Sequence, residues 1–238
     1  MNSITNNRIY SNRIAQIAAL IEPGSFVIDI GTDHAHLPIA LIQNNICQKV
    51  LAIDANKKPL LTAKTNIKRF NMQDNINLML NNDLDGISLD GDETIVLAGL
   101  GGFLISKILE KHKSKFTSKH RFLLQPNWTW YDLRKYLADN GFAINQEIVL
   151  KDQGRYYSLL DVQFTQVEYK INDYEAYVGI NQKYNQNETT RQIYLEYLAR
   201  LERLASRKAD NSQIYQKICK KIQLEIEGVS NDHTSKNI

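Results

Sequence analysis

Between residues 24 and 165, strand-sized apolar runs alternate with segments of helical spacing, and no other feature of the chain restricts its fold as much. The runs at 26–30, 50–54, 76–80, 94–98 and 121–125 are rich in Val, Ile, Leu and Phe and end in polar or turn-forming residues, as buried strands do. Helical spacing is read at 35–45, 57–70, 103–112 and 130–140, the last stopped by Gly141. Strands joined through helices pair in parallel, so this alternation predicts a doubly wound sheet. After Gly141 the pattern changes. Runs at 143–150 and 156–164, joined by the turn-forming Lys151-Asp152-Gln153-Gly154, predict an antiparallel hairpin at one edge. Together these make a mostly parallel, seven-stranded, Rossmann-like α/β domain.

Strand signals vanish from about residue 169. Apolar residues at helical spacing at 189–207 (Ile193, Tyr197, Leu201, Leu204) and again at Ile214, Ile218, Ile222 and Ile226 predict two amphipathic helices, with Ser212 as a cap. With the break at 208–212 they read as a helical hairpin or small coiled coil. The domain reading is therefore 1–167 for the sheet domain and 168–238 for a helical appendage. A short amphipathic helix at 13–21 is expected to pack on the sheet, and 231–238 reads as a frayed tail. A hydrophobic content of 43% suffices for a core. The polar stretch 1–11 lacks a signal-peptide core, and Cys47 and Cys219 lack disulfide or zinc spacing, so a reducing cytoplasm is expected.

Function is concentrated in Asp29-Ile30-Gly31-Thr32-Asp33-His34, where the first strand ends. Open α/β sheets bind ligands beyond the carboxyl ends of their strands. A dinucleotide site wants Gly-x-Gly-x-x-Gly, yet the second glycine position holds Asp33, whose carboxylate repels a pyrophosphate. A triphosphate loop ending in Gly-Lys-Ser/Thr is also missing. A phosphate-free nucleoside with a positive centre remains, and S-adenosylmethionine fits, with Asp29 and Asp33 near its sulfonium and amino groups. Asp54 ends the second strand, at a spacing suited to ribose hydroxyls. Asp83, just past the third strand, is placed to accept from an adenine amino group. Singly, such acids are more often turn or cap residues; their shared position at strand ends carries the argument. Gly99, Gly101 and Gly102 open space after the fourth strand.

Three motifs resemble one known family, the bacterial tRNA adenine-N1 methyltransferases that act on adenine 22. They are Asp29-Ile30-Gly31-Thr32-Asp33-His34-Ala35-His36-Leu37-Pro38, Val96-Leu97-Ala98-Gly99-Leu100-Gly101-Gly102 and Leu123-Leu124-Gln125-Pro126-Asn127. The resemblance spans almost the whole chain, the helical appendage included. Trp128-Thr129-Trp130 and Asn56-Lys57-Lys58-Pro59 depart from the family pattern. What it implies is an S-adenosylmethionine site made by Asp29, Gly31, Asp33, His34, Asp54, Ala55, Asn82, Asp83, Ala98, Gly99 and Gly101. Catalytic roles then fall to Asp33, His34 and Asn127.

Adenine N1 already carries an in-plane lone pair, so attack needs no strong base. The methylated base is cationic and loses a proton from N6, which Asp33 or His34 would accept; Asn127 would hydrogen-bond the base. The Asn/Asp-Pro-Pro-aromatic motif of exocyclic-amine methyltransferases is absent after the fourth strand, which favours attack by a ring nitrogen. N1 lies on the Watson–Crick edge, so the target must be unpaired or extruded. Trp128, Trp130 and Tyr131 are stacking candidates, although aromatics opening a helix more often pack internally. His34 and His36 lack a third ligand of matching spacing, so no metal is expected.

Net charge is only +3, but two segments concentrate cations. Lys107, Lys111, Lys113, Lys115, Lys119 and Arg121 face Glu110 alone, while Arg191, Arg200, Arg203, Arg207, Lys208, Lys217, Lys220 and Lys221 face Glu196, Glu202 and Asp210. Either could be an ordinary solvated helix face; beside a nucleobase pocket, phosphate contacts explain them better. The expected partner is tRNA, with no membrane and no protein partner, the chain being a monomer or weak dimer. Two other readings stay open: a methyltransferase acting on another RNA, a protein or a small molecule, and a non-catalytic RNA-binding module.

Overall fold

The computed structural model describes residues 10–180, 188–209 and 212–231. The stretch 1–9, Asp210, Asn211 and the expected tail beyond Asn231 lie outside them. Seven strands form one sheet: β1 (Phe26–Ile30), β2 (Val50–Asp54), β3 (Ile76–Leu80), β4 (Glu93–Leu100), β5 (Arg121–Pro126), β6 (Phe142–Asp152) and β7 (Arg155–Phe164). Their order is β3-β2-β1-β4-β5-β7-β6. The first five pair in parallel, and β7 runs antiparallel between β5 and β6. This is the doubly wound architecture with an antiparallel edge hairpin. Chain order reverses on the two sides of β1, so the loops after β1 and β4 part and leave a crevice.

Helices α1 (Asn12–Leu20), α2 (His36–Gln43), α3 (Lys57–Arg69), α4 (Gly102–His112) and α5 (Trp130–Asp139) cover the sheet. The period-2 pleat divides each strand between two cores. Ile28, Ile30, Phe122 and Leu124 join one cluster with Ile105, Leu109 and Leu133 of α4 and α5. Val27, Val96 and Leu123 join the other, with Ile17 and Ala18 of α1 and Leu37 and Leu41 of α2. By the same parity Asp29 and Gln125 belong to the α1 side. Pro38 sits in the first turn of α2, where a missing N–H costs nothing.

Helix α6 (Asp173–Val178) is an element the sequence reading left unassigned. Its capping box is complete, with the Asn172 side chain accepting from the Glu175 N–H and the Glu175 side chain accepting from the Asn172 N–H. Helices α7 (Glu188–Ala209) and α8 (Gln213–Asn231) pack on α6 through Tyr177, Tyr197, Leu201, Ile218 and Ile222. Among the described residues no helix is long and apolar enough to cross a membrane.

A buried ion pair ties the helices to the sheet. Arg134 of α5 and Glu147 of β6 are both 0% exposed and hydrogen-bonded. Burial opposes the Arg134 charge, but Glu147 outweighs it and the guanidinium stays protonated. Arg134 also donates to the Ala176 and Tyr177 carbonyls and to Ser158, and Glu147 accepts from the Ile180 N–H and from Ser158. Removing one partner of such a pair strands the other charge. Glu147→Ala should therefore lower unfolding free energy by about 3–5 kcal/mol in urea denaturation, and Arg134→Met with Glu147→Leu by clearly less. A single-variant loss under about 1 kcal/mol contradicts this accounting.

Candidate active site

The loop after β1 is held by groups from β2. The Gly31 and Thr32 N–H groups both donate to the Ile53 carbonyl at 2.9 Å. Asp54 then fixes the next turn: one carboxylate oxygen accepts from the Asp33 N–H at 3.0 Å and the other from the Asn56 N–H at 2.9 Å. From α3 the Asn66 amide donates to the His34 carbonyl at 3.0 Å. These bonds hold two non-glycine residues in the left-handed region, Asp33 at φ 52° and Ala35 at φ 59°. Such strain of order 1–3 kcal/mol per residue persists only where surrounding structure imposes it.

Three acids belong to this loop and its support. Asp29 and Asp54 are buried, and Asp33 is exposed. Burial pushes the Asp29 carboxyl up to about 6; Thr32 opposes the rise, Asp54 adds to it, and Arg13 opposes it. His34 Nδ1 lies 3.5 Å from Asp33 Oδ1, with both side chains partly exposed, and the His34 and His36 rings meet edge-on at 5.9 Å. Acids with no phosphate-binding lysine suit a cationic nucleoside. The residues present thus fit S-adenosylmethionine, which would lie across Asp29, Asp33 and Asp54.

The other wall is the turn after β4. The pairing of β4 with β5 slips between Ala98 and Leu100, and Gly99 sits there at φ 79°. Asn127 secures this turn, its amide donating to the Gly99 carbonyl at 2.6 Å and its N–H to Leu100 at 2.8 Å. Behind it Gln125, 0% exposed, donates to Asn127 Oδ1 at 3.2 Å, and Arg13 of α1 donates to Gln125 Oε1 at 2.7 Å. Arg13 has no acceptor capacity, so it turns the Gln125 oxygen toward itself and leaves the Gln125 nitrogen for Asn127. The orientation of Asn127 is thereby set from α1. Sequence reasoning missed Arg13, which is one cation in a short helix; Gln125, a buried amide at the end of an apolar strand, was the available signal.

Two groups of expected ligand-binding residues have partners within the protein. Asp83 is turned toward α4: it accepts from Lys111 Nζ at 2.8 Å and from the Asp85 N–H at 2.8 Å, with His112 Nε2 at 3.1 Å. Burial acts to raise its pKa, but the bonds from Lys111, Asp85 and His112 hold it below the ordinary value. Asp83 therefore stands as a paired residue, with exposed Asn82 beside it. Asp83, Asp85 and His112 bring ligand-type atoms within 4.8 Å, yet the Lys111 ammonium already bridges the two acids. The first basic segment is also largely committed. Besides Lys111, Lys113 donates to Asn140, Lys115 to the Leu84 and Ile87 carbonyls, and Arg121 bidentately to Asp161.

Of the three aromatic candidates, Trp130 and Tyr131 pack against the α6–α8 cluster, while Trp128 is 60% exposed. Ala55 is exposed and Ala98 partly buried, each at its strand's carboxyl end. A separate cavity of 380 Å³ opens at the opposite strand ends, where Arg121 pairs with Asp161 and Glu22.

The sequence model of a methyltransferase domain family matches residues 10–160. The Bacillus subtilis tRNA (adenine(22)-N(1))-methyltransferase is 33% identical over 150 residues, covering 63% of this chain and 63% of that enzyme. The match thus spans a little under two thirds of that relative. Among solved structures, M. capricolum TrmK in complex with S-adenosyl-homocysteine superposes with a TM-score of 0.71 at 26% identity, covering 93% of this chain and 96% of the other. The B. subtilis M1A22 tRNA methyltransferase TrmK gives 0.68 at 25% identity, covering 93% and 97%.

The glycines of the β4 turn are steric requirements. A Cβ on Gly102 would sit 2.5 Å from the Thr129 carbonyl oxygen, a backbone atom, whereas one on Gly228 in α8 meets nothing within 4 Å. Gly102→Ala should cost about 1–3 kcal/mol of stability and change the tryptophan emission. Gly228→Ala should instead add roughly 0.5–1 kcal/mol by relieving helix entropy, both read by urea denaturation.

Proposed function

This chain belongs to the tRNA (adenine-22-N1)-methyltransferase family, and from that premise we propose that it methylates N1 of an adenine in tRNA, in the cytoplasm, with adenine 22 the expected position. The observation that carries the reading is the carboxylate-lined β1 loop facing the Gly99–Asn127 turn across the switch point of the sheet. S-adenosylmethionine supplies the methyl group when bound, and the protein supplies position and charge. Asp29 and Asp33 favour its positive centres, and Asp54 keeps acceptor capacity for ribose hydroxyls while clamping the loop. Asp33 and His34, side by side at the mouth of the crevice, take the proton that the methylated base releases from N6. Asn127, oriented through Gln125, binds the base.

RNA contact is assigned to the helical segment, residues 168–238. Arg203 and Arg207 of α7 and Lys217 and Lys220 of α8 are exposed, in contrast to the committed Lys111, Lys113 and Lys115. Arg134 and Glu147 bind this segment to the sheet, so charge reversal tests it better than deletion. Arg203→Glu with Arg207→Glu should weaken tRNA binding by roughly tenfold or more and flatten its salt dependence, leaving cofactor affinity unchanged. Unaltered tRNA affinity sinks the assignment.

The decisive experiment incubates the protein with labelled cofactor and unmodified tRNA, then digests the RNA. 1-Methyladenosine is the expected product; N6-methyladenosine alone, or label in protein, overturns the reading. The Asp29 shift adds a pH test. With its pKa near 6, Asp29 loses its charge as pH falls through that value, so cofactor affinity measured by calorimetry should fall there, by up to roughly tenfold per unit. In the cofactor-free protein the sign is opposite, because protonation relieves a desolvated charge and this group favours folding more as pH drops toward 4. Asp29→Asn should bind cofactor weakly and without this pH dependence; constant wild-type affinity from pH 5 to 7.5 would exclude the role.

A further inference from the structure

Two large aromatics stand exposed beside the glycine turn, Trp128 at 60% and Phe103 at 62%. Neither is loosely placed. The Gly102 N–H donates to the Trp128 carbonyl at 3.0 Å and the Phe103 N–H to Thr129 Oγ1 at 3.2 Å, which staples the start of α4 to the loop after β5. Thr129 holds a left-handed φ of 58° to close that staple. One side of the Trp128 indole lies on Gly101, where an added Cβ would come within 2.7 Å of Nε1. Lys107, one turn along α4, places its ammonium 4.5 Å from the centre of the Phe103 ring. Exposed apolar surface held rigid in this way marks a binding surface, and an aromatic fixed before binding loses little entropy on contact.

We propose that Trp128 and Phe103 form the platform that receives the extruded target nucleotide, with Lys107 meeting a flanking phosphate. The inference rests on the methyltransferase reading and adds to it the residues that hold the substrate base. The chemistry of the surface selects this occupant. Aromatic faces bind any purine by stacking, the adjoining cation suits a phosphodiester, and the Gly99–Gly102 turn joins the platform to Asn127, whose amide donates to the Gly99 carbonyl. Leu104, also exposed, extends the apolar rim.

Two measurements test the platform. Trp128→Ala and Phe103→Ala should each lower kcat/KM for tRNA by roughly tenfold or more, mostly through KM, with cofactor affinity within about twofold of wild type; Trp128→Phe should restore most of the loss. Lys107→Ala should reduce the salt dependence of tRNA binding while sparing cofactor affinity. The second measurement needs no turnover. The chain holds only Trp128 and Trp130, so a Trp130→Phe protein reports Trp128 alone, and unmodified tRNA should quench its fluorescence. Near-wild-type methylation in both alanine variants, or no quenching on tRNA binding, overturns the platform. If the wild-type protein makes no 1-methyladenosine, the catalytic reading fails instead, and the quenching result alone decides whether Trp128 takes a base.

Discussion

Where the strand order turns around β1, the backbone loses ladder partners at the place where a ligand must enter, and its polar groups need other acceptors and donors. This protein answers with three side chains. Asp54 takes the freed Asp33 and Asn56 N–H groups on one wall, Asn66 supports the His34 carbonyl, and Asn127 secures the Gly99 carbonyl on the other wall. Each is a polar group needed for backbone satisfaction before any ligand arrives. The crevice is therefore preorganised, and its shape depends on residues that carry charge and amide groups.

The two walls are not independent, because Arg13 joins them from behind. Its hydrogen bond to Gln125 fixes the amide orientation of Asn127, while its charge opposes the rise in the Asp29 pKa. Loss of Arg13 would leave Gln125 buried with an unpaired oxygen and push Asp29 further toward its neutral form. A helix lying outside the parallel core thus acts on both the electrostatics of the Asp29 wall and the geometry of the Asn127 wall. Between α5, α6 and β6 Arg134 has a comparable linking role, collecting carbonyls of α6 and the carboxylate of β6 into one buried knot.

Strand positions were legible because strand-sized apolar runs bounded by polar or turn-forming residues mark them; β1, β2 and β3 have the bounds the sequence implied. The loop after β1 was legible as a site because an acid replaces the glycine that a pyrophosphate requires. Three other features left weaker marks. Helix α6 is only six residues long and is defined by its capping box and its docking on Arg134, which periodicity does not detect. The lysines of 107–121 look like a basic patch in one dimension, but the 83–87 loop folds against them and supplies acceptors. Trp128, Trp130 and Tyr131 are adjacent in sequence yet divided by the left-handed Thr129, which leaves the first exposed and turns the other two toward the helices.

That division bears on why Asp33 stands where a dinucleotide loop has glycine. A glycine there would let the backbone approach a diphosphate but would leave the loop free in the unfolded chain and weakly fixed in the native one. An aspartate at φ 52° costs some strain, offset by the bonds from Asp54 and Asn66 on either side, and it returns a loop of one defined shape carrying a negative charge. Thr129 repeats the device across the crevice, with strain held by the Phe103 N–H and an aromatic presented to solvent. In the function proposed above, the strained residue on the first wall meets a cation and that on the second a planar base. Bringing those two ligands together in a fixed geometry is the physical requirement of an in-line methyl transfer.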